Sequence, residues 1–229
     1  MGIVRAAGIW NCFALMSTLI APHSVVLFQG DSITDCGRSR EEDSTNELHF
    51  LGNGGYVCMA AASLLADRPS DGLRIHNRGV AGDRIVDLYA RVLRDTINLK
   101  PDVLSVLIGV NDTWHGFNNN GIPIPKFERI YRDYLNEVRE ALPNIRLVLC
   151  EPFVLRCGVV TDDWVTEMDL RREVVRRLVS DYAATFVPFQ GLFDEAVKKA
   201  PAEYWASDGV HPSAAGHCLM ARAWLDAVA

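Results

Sequence analysis

The sequence has no excess of basic charge. Its 23 lysines and arginines are outnumbered by 29 aspartates and glutamates, which leaves a net charge of −6 with histidine neutral. Because a protein that holds a phosphate backbone needs a basic face, we expect no nucleic acid partner. Glycine and proline number only 17 and 10 and are scattered, while 49% of residues are hydrophobic, so the chain is neither fibrous nor disordered.

The chain also lacks the residue spacings of metal and phosphate sites. Its six cysteines, at positions 12, 36, 58, 150, 157 and 218, form no Cys-x-x-Cys pair and no zinc-finger pattern with histidine. The glycine-rich stretch at 52–55 lacks the Lys-Ser/Thr ending of a phosphate loop. We therefore expect no metal, no cofactor and no disulfides, as in a reducing compartment.

No apolar run has the length of a typical membrane span. Residues 6–21 are apolar and follow Arg5, but Asn11 and Ser17 interrupt them. A signal peptide is the alternative interpretation, although no small-x-small cleavage site precedes Ser24. We expect residues 1–22 to be an ordered extension and 23–229 the main domain of a cytoplasmic protein without stable membrane association. The oligomeric state stays open, a homo-oligomer included.

Short β-branched apolar runs alternate with longer segments of helical period along the chain. This alternation is typical of parallel strands joined by crossover helices. Strands are predicted at 25–29, 73–77, 103–108, 145–151 and 185–188, and helices near 55–67, 84–98, 126–142, 164–183, 191–199 and 213–227. With 229 residues and no repeat or linker, the pattern predicts a single-domain, three-layer α/β/α sandwich around a five-stranded parallel sheet.

Four short polar motifs lie at the predicted strand ends or before the last helix. Ser32 follows the first strand, Gly82 the second and Asn111 the third, while Asp208 lies three residues before His211. Because open α/β sheets place their sites at the carboxyl ends of the strands, we expect these groups to gather there. Together they supply a nucleophile, a base, an orienting carboxylate and two oxyanion donors.

Each motif taken alone has a structural explanation that is at least as good. Asp31 or Ser32 could cap the next helix, Gly82 could serve a turn, Asn111 could bond a loop, and Asp208 with His211 could be a buried polar pair. The presence of all four motifs at one sheet edge favours catalysis over coincidence.

The four motifs, in this order, resemble the diagnostic blocks of the SGNH hydrolases, also called GDSL-type esterases. The similarity spans nearly the whole chain, with Ile33 where the family's name gives leucine. That difference affects a packing side chain and leaves the reacting groups unchanged. The stretches 30–38, 111–114 and 211–217 most resemble bacterial acetylxylan esterases.

The resemblance implies a flavodoxin-like fold and a serine esterase that needs no cofactor. It assigns Ser32 as nucleophile, His211 as base and Asp208 as the carboxylate that orients it. It also implies that the oxyanion is held by the N–H groups of Ser32 and Gly82 and by the Asn111 amide. The predicted reaction is hydrolysis of acetyl or other small acyl esters on carbohydrate such as xylo-oligosaccharides, with a lysophospholipase, thioesterase or short-chain lipid esterase as the alternative.

The substrate is expected to be a small-molecule or oligosaccharide ester. Trp114 and Trp205 flank two of the motifs and predict an aromatic platform for a sugar, with core packing as an equal alternative. Asp31 is predicted to contribute to substrate binding, and polar residues at 38–46 and 118–120 favour a hydrophilic substrate. A silent carbohydrate-binding or scaffold protein and a nucleotide-binding domain would share the strand pattern. The complete set of motifs argues against both.

Overall fold

The computed structural model describes residues 19–40 and 45–229 and contains one parallel sheet. Its strands are β1 (Val25–Gly30), β2 (Arg74–Asn77), β3 (Val103–Leu107), β4 (Arg146–Cys150) and β5 (Thr185–Val187). They lie in the order β2-β1-β3-β4-β5, and every neighbouring pair is parallel. The predicted five-stranded parallel sheet is confirmed, and no strand begins or ends more than one residue from its predicted position.

Helices cover both faces of the sheet. They are α1 (Ser32–Asp35), α2 (Leu48–Leu51), α3 (Tyr56–Asp67), α4 (Ile85–Ala90), α5 (Val92–Asp95), α6 (Val110–Trp114), α7 (Ile124–Ala141), α8 (Asp162–Asp181), α9 (Phe189–Ala196), α10 (Ala202–Trp205) and α11 (Ala214–Val228). Two 3-10 turns lie at Ile97–Leu99 and His115–Asn118. The short helices α1, α2, α6 and α10 were not predicted, because four or five residues are too few to show a helical period.

The core has two layers because alternate strand residues point to opposite faces of the sheet. In β1, Val26 and Phe28 pack into the layer formed with α3 and α11, whereas Leu27 packs into the layer formed with α7. Trp224 of α11 is fully buried against Phe28, with ring centroids 4.6 Å apart, and its indole N–H donates to Ser105 Oγ at 2.9 Å. Burying a side chain of this size contributes about 2 kcal/mol or more.

The segment 84–98 differs from its prediction. A single helix was expected there, but α4, α5 and a 3-10 turn occupy it in three pieces. The first break is at Arg91, whose φ and ψ of −110° and 14° depart from helix geometry while its guanidinium turns inward. The second is at Thr96, whose buried hydroxyl bonds to Gln29 Nε2 at 3.0 Å and to Tyr134 Oη at 3.0 Å. Tertiary hydrogen bonds therefore outweigh the local helical pattern.

The predicted N-terminal extension, 1–22, lies outside the described residues up to position 18. Its last four residues, 19–22, pack against the domain: Leu19 N donates to Val228 O at 3.1 Å, and Ile20 is 1% exposed in the core. Cys12 and residues 41–44 of the polar loop also lie outside the described residues. Within 19–40 and 45–229, no helix combines the length and apolar character needed to cross a bilayer.

Candidate active site

Ser32 lies at the carboxyl end of β1, where the chain turns directly into α1. Asp31 caps this helix, and its Oδ1 accepts a hydrogen bond from Ile33 N at 3.0 Å. Ser32 is the first helical residue and is partly accessible, whereas Asp31 is 1% exposed. The prediction that Asp31 contacts substrate does not fit this placement, because its carboxylate is directed into the helix cap and away from the surface.

A continuous chain of hydrogen bonds links Ser32, His211 and Asp208. Ser32 Oγ lies 2.8 Å from His211 Nε2, and His211 Nδ1 lies 2.7 Å from Asp208 Oδ2. A carboxylate only accepts hydrogen bonds, so Nδ1 carries the ring proton and Nε2 is free to accept from the serine hydroxyl. Ser32 is far in sequence from Asp208 and His211, but the three side chains form one hydrogen-bonded unit at one edge of the sheet.

Asp208 is held as a carboxylate by several donors. Its Oδ1 accepts from the backbone N–H of His211 at 2.7 Å and of Val210 at 2.9 Å. Partial burial raises the pKa of Asp208, but the hydrogen bonds from the His211 ring and from these two N–H groups outweigh it and bring the pKa below its ordinary value of 3.8. The group therefore stays charged at neutral pH and keeps the imidazole in one tautomer.

The Asp208 loop is supported by the segment that follows β4. Val159 N donates to Asp208 O at 3.0 Å, and Leu155 N donates to Gly209 O at 2.8 Å. Gly158, with φ of +58°, lies so close that a Cβ on it would be 2.4 Å from Asp208 Cα. The only sign of this role in the sequence is a glycine inside a loop, a feature too common to predict Gly158 as a site residue.

Gly82 lies in the loop after β2, and Asn111 lies in the short helix α6 that follows β3. Gly82 has φ of +86°, and no atom lies within 4 Å of the position where a Cβ would be, so its backbone borders open space. Among residues 19–40 and 45–229, no hydrogen-bond acceptor is assigned to the backbone N–H of Gly82 or of Ser32. Asn111 is 5% exposed and donates one amide hydrogen to Asp83 O at 3.1 Å, which fixes its orientation. These groups can donate hydrogen bonds to a developing negative charge.

Buried carboxylates lie beneath these loops. Burial raises the pKa of Asp31 to about 7, and the nearby charges of Asp112 and Asp83 add to the increase. Burial also raises the pKa of Asp112 to about 7, against the opposing effect of Arg171. Asp112 accepts a hydrogen bond from Ile85 N at 3.1 Å and so joins α6, the helix that follows β3, to the start of α4.

Arg91 holds the loops on the β1 and β2 side of the site. Its Nε donates to Asp83 Oδ2 at 2.7 Å, and its Nη1 donates to Gln29 Oε1 at 2.7 Å and to Arg78 O at 2.8 Å. Nη2 reaches Gly30 O at 3.3 Å. The sequence offered no sign of this role, because an arginine in a segment of helical period is ordinarily a solvent-facing residue.

The two predicted tryptophans have different environments. Trp114 is partly accessible and lies beside His211, with the two ring centroids 5.9 Å apart. Trp205 is also half-buried, but its indole N–H donates to Ala200 O at 3.2 Å and its ring packs edge-on against Tyr204. Trp114 is therefore the one whose ring directly contacts the hydrogen-bonded chain.

A parallel α/β/α sandwich with a serine, histidine and aspartate hydrogen-bonded at its sheet edge defines a serine hydrolase architecture. The GDSL-like lipase/acylhydrolase family model matches residues 28–219, and the chain belongs to this family. It is a carboxylic ester hydrolase with the SGNH hydrolase fold.

Two kinds of relative share most of the chain. An acetylxylan esterase from Geobacillus stearothermophilus is 37% identical over 206 residues, which cover 87% of this chain and 91% of the relative. The structure of Axe2, an acetylxylan esterase from Geobacillus stearothermophilus, superimposes with a TM-score of 0.83 at 34% identity and covers 91% of this chain and 95% of Axe2. A protein from Parabacteroides merdae described as a GDSL-like lipase superimposes with a TM-score of 0.87 at 43% identity, covering 91% of this chain and 97% of that one. Axe2 has also been solved as catalytic mutants that replace a serine, an aspartate and a histidine.

Proposed function

We propose that this protein is a serine esterase that removes acetyl or other small acyl groups from carbohydrate, with Ser32 as nucleophile. The observation that carries the proposal is the unbroken hydrogen-bond chain from Ser32 Oγ through His211 to Asp208. A serine hydroxyl is a weak nucleophile at neutral pH and becomes reactive when an oriented base accepts its proton.

In the first half-reaction, Ser32 Oγ attacks the ester carbonyl while His211 Nε2 takes the hydroxyl proton. The imidazolium that forms is stabilised by the Asp208 carboxylate, 2.7 Å from Nδ1. His211 then returns the proton to the departing alcohol oxygen, which leaves an acyl group on Ser32. Water, deprotonated by the same histidine, hydrolyses this acyl-enzyme and regenerates the serine.

The negative charge on the carbonyl oxygen during both steps would be held by three donors. These are the backbone N–H groups of Ser32 and Gly82 and the side-chain amide of Asn111. The open space beside Gly82 and the orientation of the Asn111 amide by Asp83 O support this assignment. Removing one donor of this kind typically lowers kcat about a hundredfold to a thousandfold.

The relatives support both the triad and the carbohydrate substrate. In the Axe2 catalytic mutants, the aspartate follows the serine by the same number of residues as Asp208 follows Ser32, and the histidine follows three residues later, as His211 does here. Axe2 is described as an acetyl-xylooligosaccharide esterase. Trp114 beside His211 offers an aromatic surface for a sugar, consistent with a polar alcohol as the leaving group.

The nucleophile is tested by Ser32→Ala. We expect loss of acyl transfer and loss of mass labelling by a serine-directed phosphonate, with stability changed by less than about 1 kcal/mol. Ser63→Ala, which alters an exposed serine of α3, is the matched control and should be labelled like the wild type. Turnover by Ser32→Ala at the wild-type rate would refute the assignment.

The acyl preference is tested with aryl esters from acetate to octanoate and with acetylated xylo-oligosaccharides. A pocket for long chains would gain about 0.8 kcal/mol for each buried methylene, so kcat/KM would rise along the series. We expect it instead to fall beyond acetate or propionate. A better rate with octanoate, or no action on acetylated sugar, would replace the carbohydrate proposal with the lipid or thioester alternative.

A further inference from the structure

A cavity of about 450 Å³ lies beside the candidate active site, between the loop that follows α6 and the N-terminal half of α8. We call it the side cavity. It is lined by a group of aromatic, apolar and polar residues that includes Thr113, Phe117, Asn119, Ile122, Glu167 and Arg171. Its volume is in the range of ligand-binding pockets, and the mechanism proposed above makes no use of it.

An unbroken set of ring contacts joins the side cavity to the reacting histidine. Trp114 lies 5.9 Å from His211, Trp164 of α8 lies 5.2 Å from Trp114, and Phe117 stacks on Trp164 at 5.2 Å with planes inclined by 21°. Phe117 is 49% exposed although it is a large apolar side chain. Trp164 itself is buried, at 5% exposure, so the partly accessible ring of Trp114 beside His211 and the exposed ring of Phe117 at the side cavity pack on one shared core residue.

The side cavity is already formed in this structure. Ile122 N donates to Asp112 O at 3.1 Å, and the Ile122 carbonyl accepts from Arg171 Nη2 at 2.7 Å. Arg171 Nε donates to Thr113 Oγ1 at 2.7 Å. Little ordering is needed before a ligand binds, which favours affinity because less conformational entropy is lost.

The polar groups of the side cavity suit hydroxyls better than an anion or an acyl chain. The Arg171 side chain is only 2% exposed, and among the described residues its Nη1 has no hydrogen-bond partner. Glu167, 47% exposed, lies 3.6 Å from the same guanidinium, and Asp112, which is partly ionised near neutral pH because its pKa is about 7, adds to the compensation of the arginine charge. The arginine charge is therefore offset, so the cavity does not favour an anionic ligand. The exposed polar groups at the rim, Glu167 and Asn119, would lose hydration beneath an alkyl chain without gaining hydrogen bonds.

We propose that the side cavity is a glycosyl subsite, which binds a neutral, unreacted sugar unit of the same oligosaccharide whose ester lies at Ser32. A pyranose has an apolar face of C–H groups that can pack on Phe117, and its hydroxyls both donate and accept hydrogen bonds. Glu167 and Asn119 offer those partners at the rim. The proposal rests on the carbohydrate esterase function proposed above and adds that chain length is sensed away from the ester.

The test compares three substrates: an aryl acetate, an acetylated methyl xyloside and acetylated xylotetraose. The variants are Phe117→Ala and Glu167→Gln, and the control is Leu170→Ala, which removes an exposed apolar side chain from the same helix as Glu167. We expect Phe117→Ala to raise KM for acetylated xylotetraose about tenfold, as the loss of one aromatic stacking contact implies. Phe117→Ala should turn over the aryl acetate and the acetylated methyl xyloside as the wild type does. Leu170→Ala should leave the kinetics with all three substrates unchanged.

A second measurement does not depend on turnover. Calorimetric titration of the wild type with unacetylated xylotetraose should show binding that weakens about tenfold in Phe117→Ala and is reduced in Glu167→Gln. Thermal unfolding of each variant checks that the fold is retained, as expected for side chains half exposed to solvent.

The outcomes separate this proposal from the function on which it rests. If the wild type deacetylates xylotetraose and the methyl xyloside equally and Phe117→Ala treats them alike, the subsite is refuted while the esterase function stands. If Phe117→Ala loses activity only on octanoate esters, the cavity holds acyl chains and the proposal is wrong. If no acetylated sugar is a substrate and xylotetraose does not bind, both proposals fail.

Discussion

His217 makes the stability of this fold sensitive to acid. The side chain is 7% exposed, its Nδ1 accepts a hydrogen bond from Tyr56 N at 3.1 Å, and its Nε2 lies 3.8 Å from Cys36 Sγ. Burial lowers the pKa of His217 from 6.5 to about 4, and the nearby His211 adds to the decrease. A proton on Nδ1 would break the bond from Tyr56 and leave a buried charge.

The sign and size of the effect follow from proton linkage. In the unfolded chain His217 takes up a proton near pH 6.5, whereas in the folded protein it does so only near pH 4. Between these values the unfolded state binds more protons, so the free energy of unfolding falls as the pH is lowered. The contribution is complete above pH 6.5 and declines by about 2–3 kcal/mol at pH 4.5, since one pKa unit corresponds to about 1.4 kcal/mol.

The comparison protein is His217→Asn, whose side-chain oxygen can still accept from Tyr56 N but does not titrate. Urea unfolding of both proteins at pH 7.5, 6.5, 5.5 and 4.5 gives the difference in unfolding free energy at each pH. Asp31 and Asp112, whose pKa values are raised to about 7, have the opposite effect: their contribution to the unfolding free energy is lost as the pH rises. Both residues are present in both proteins, so their contributions cancel in the difference. We expect the difference in unfolding free energy to shift by about 2–3 kcal/mol in favour of the variant between pH 7.5 and pH 4.5. Parallel stability curves would refute the reasoning.

Three further predictions concern the loops around the site. Gly158→Ala should lower kcat more than tenfold and the free energy of unfolding by about 2 kcal/mol, because its Cβ would displace the Asp208 backbone. The control is Gly191→Ala, a helical position with open space, which should instead raise the free energy of unfolding by about 0.5 kcal/mol or more. Urea unfolding and steady-state kinetics of both variants distinguish the two effects. Asp208→Asn should lower kcat about ten-thousandfold with the fold intact, measured on an aryl acetate, whereas a loss of less than tenfold would contradict its role in orienting the histidine. Gly82→Ala has room for its methyl group but must keep φ at +86°, so it should lower the free energy of unfolding by about 1 kcal/mol. It should also lower kcat at least tenfold, because the strained backbone would shift the residue 82 N–H. An unchanged kcat would show that this N–H is not part of the oxyanion site.

Much of the reactive geometry is encoded over short stretches of sequence. Asp208 and His211 are three residues apart, and the backbone N–H of His211 bonds to the same carboxylate that orients its ring, so one local turn brings the pair together. Ser32, Gly82 and Asn111 each follow a strand by only a few residues. Because all five strands are parallel, their carboxyl ends meet at one edge, and the strand pattern alone predicted that these groups would be neighbours.

The tertiary structure decided the direction and burial of side chains within those segments. Asp31 is next to Ser32, the proposed nucleophile, in sequence but is buried as a helix cap. Arg91 turns inward from a segment whose period predicts one uninterrupted helix. The stacking of Phe117 on Trp164 brings together residues 47 positions apart, on the 3-10 turn after α6 and on α8. The sequence by itself determined which chemical groups stand at the strand ends, since strand and turn propensities act over a few residues. Which of those groups face the solvent depends on packing between distant segments, and no local pattern contains that information.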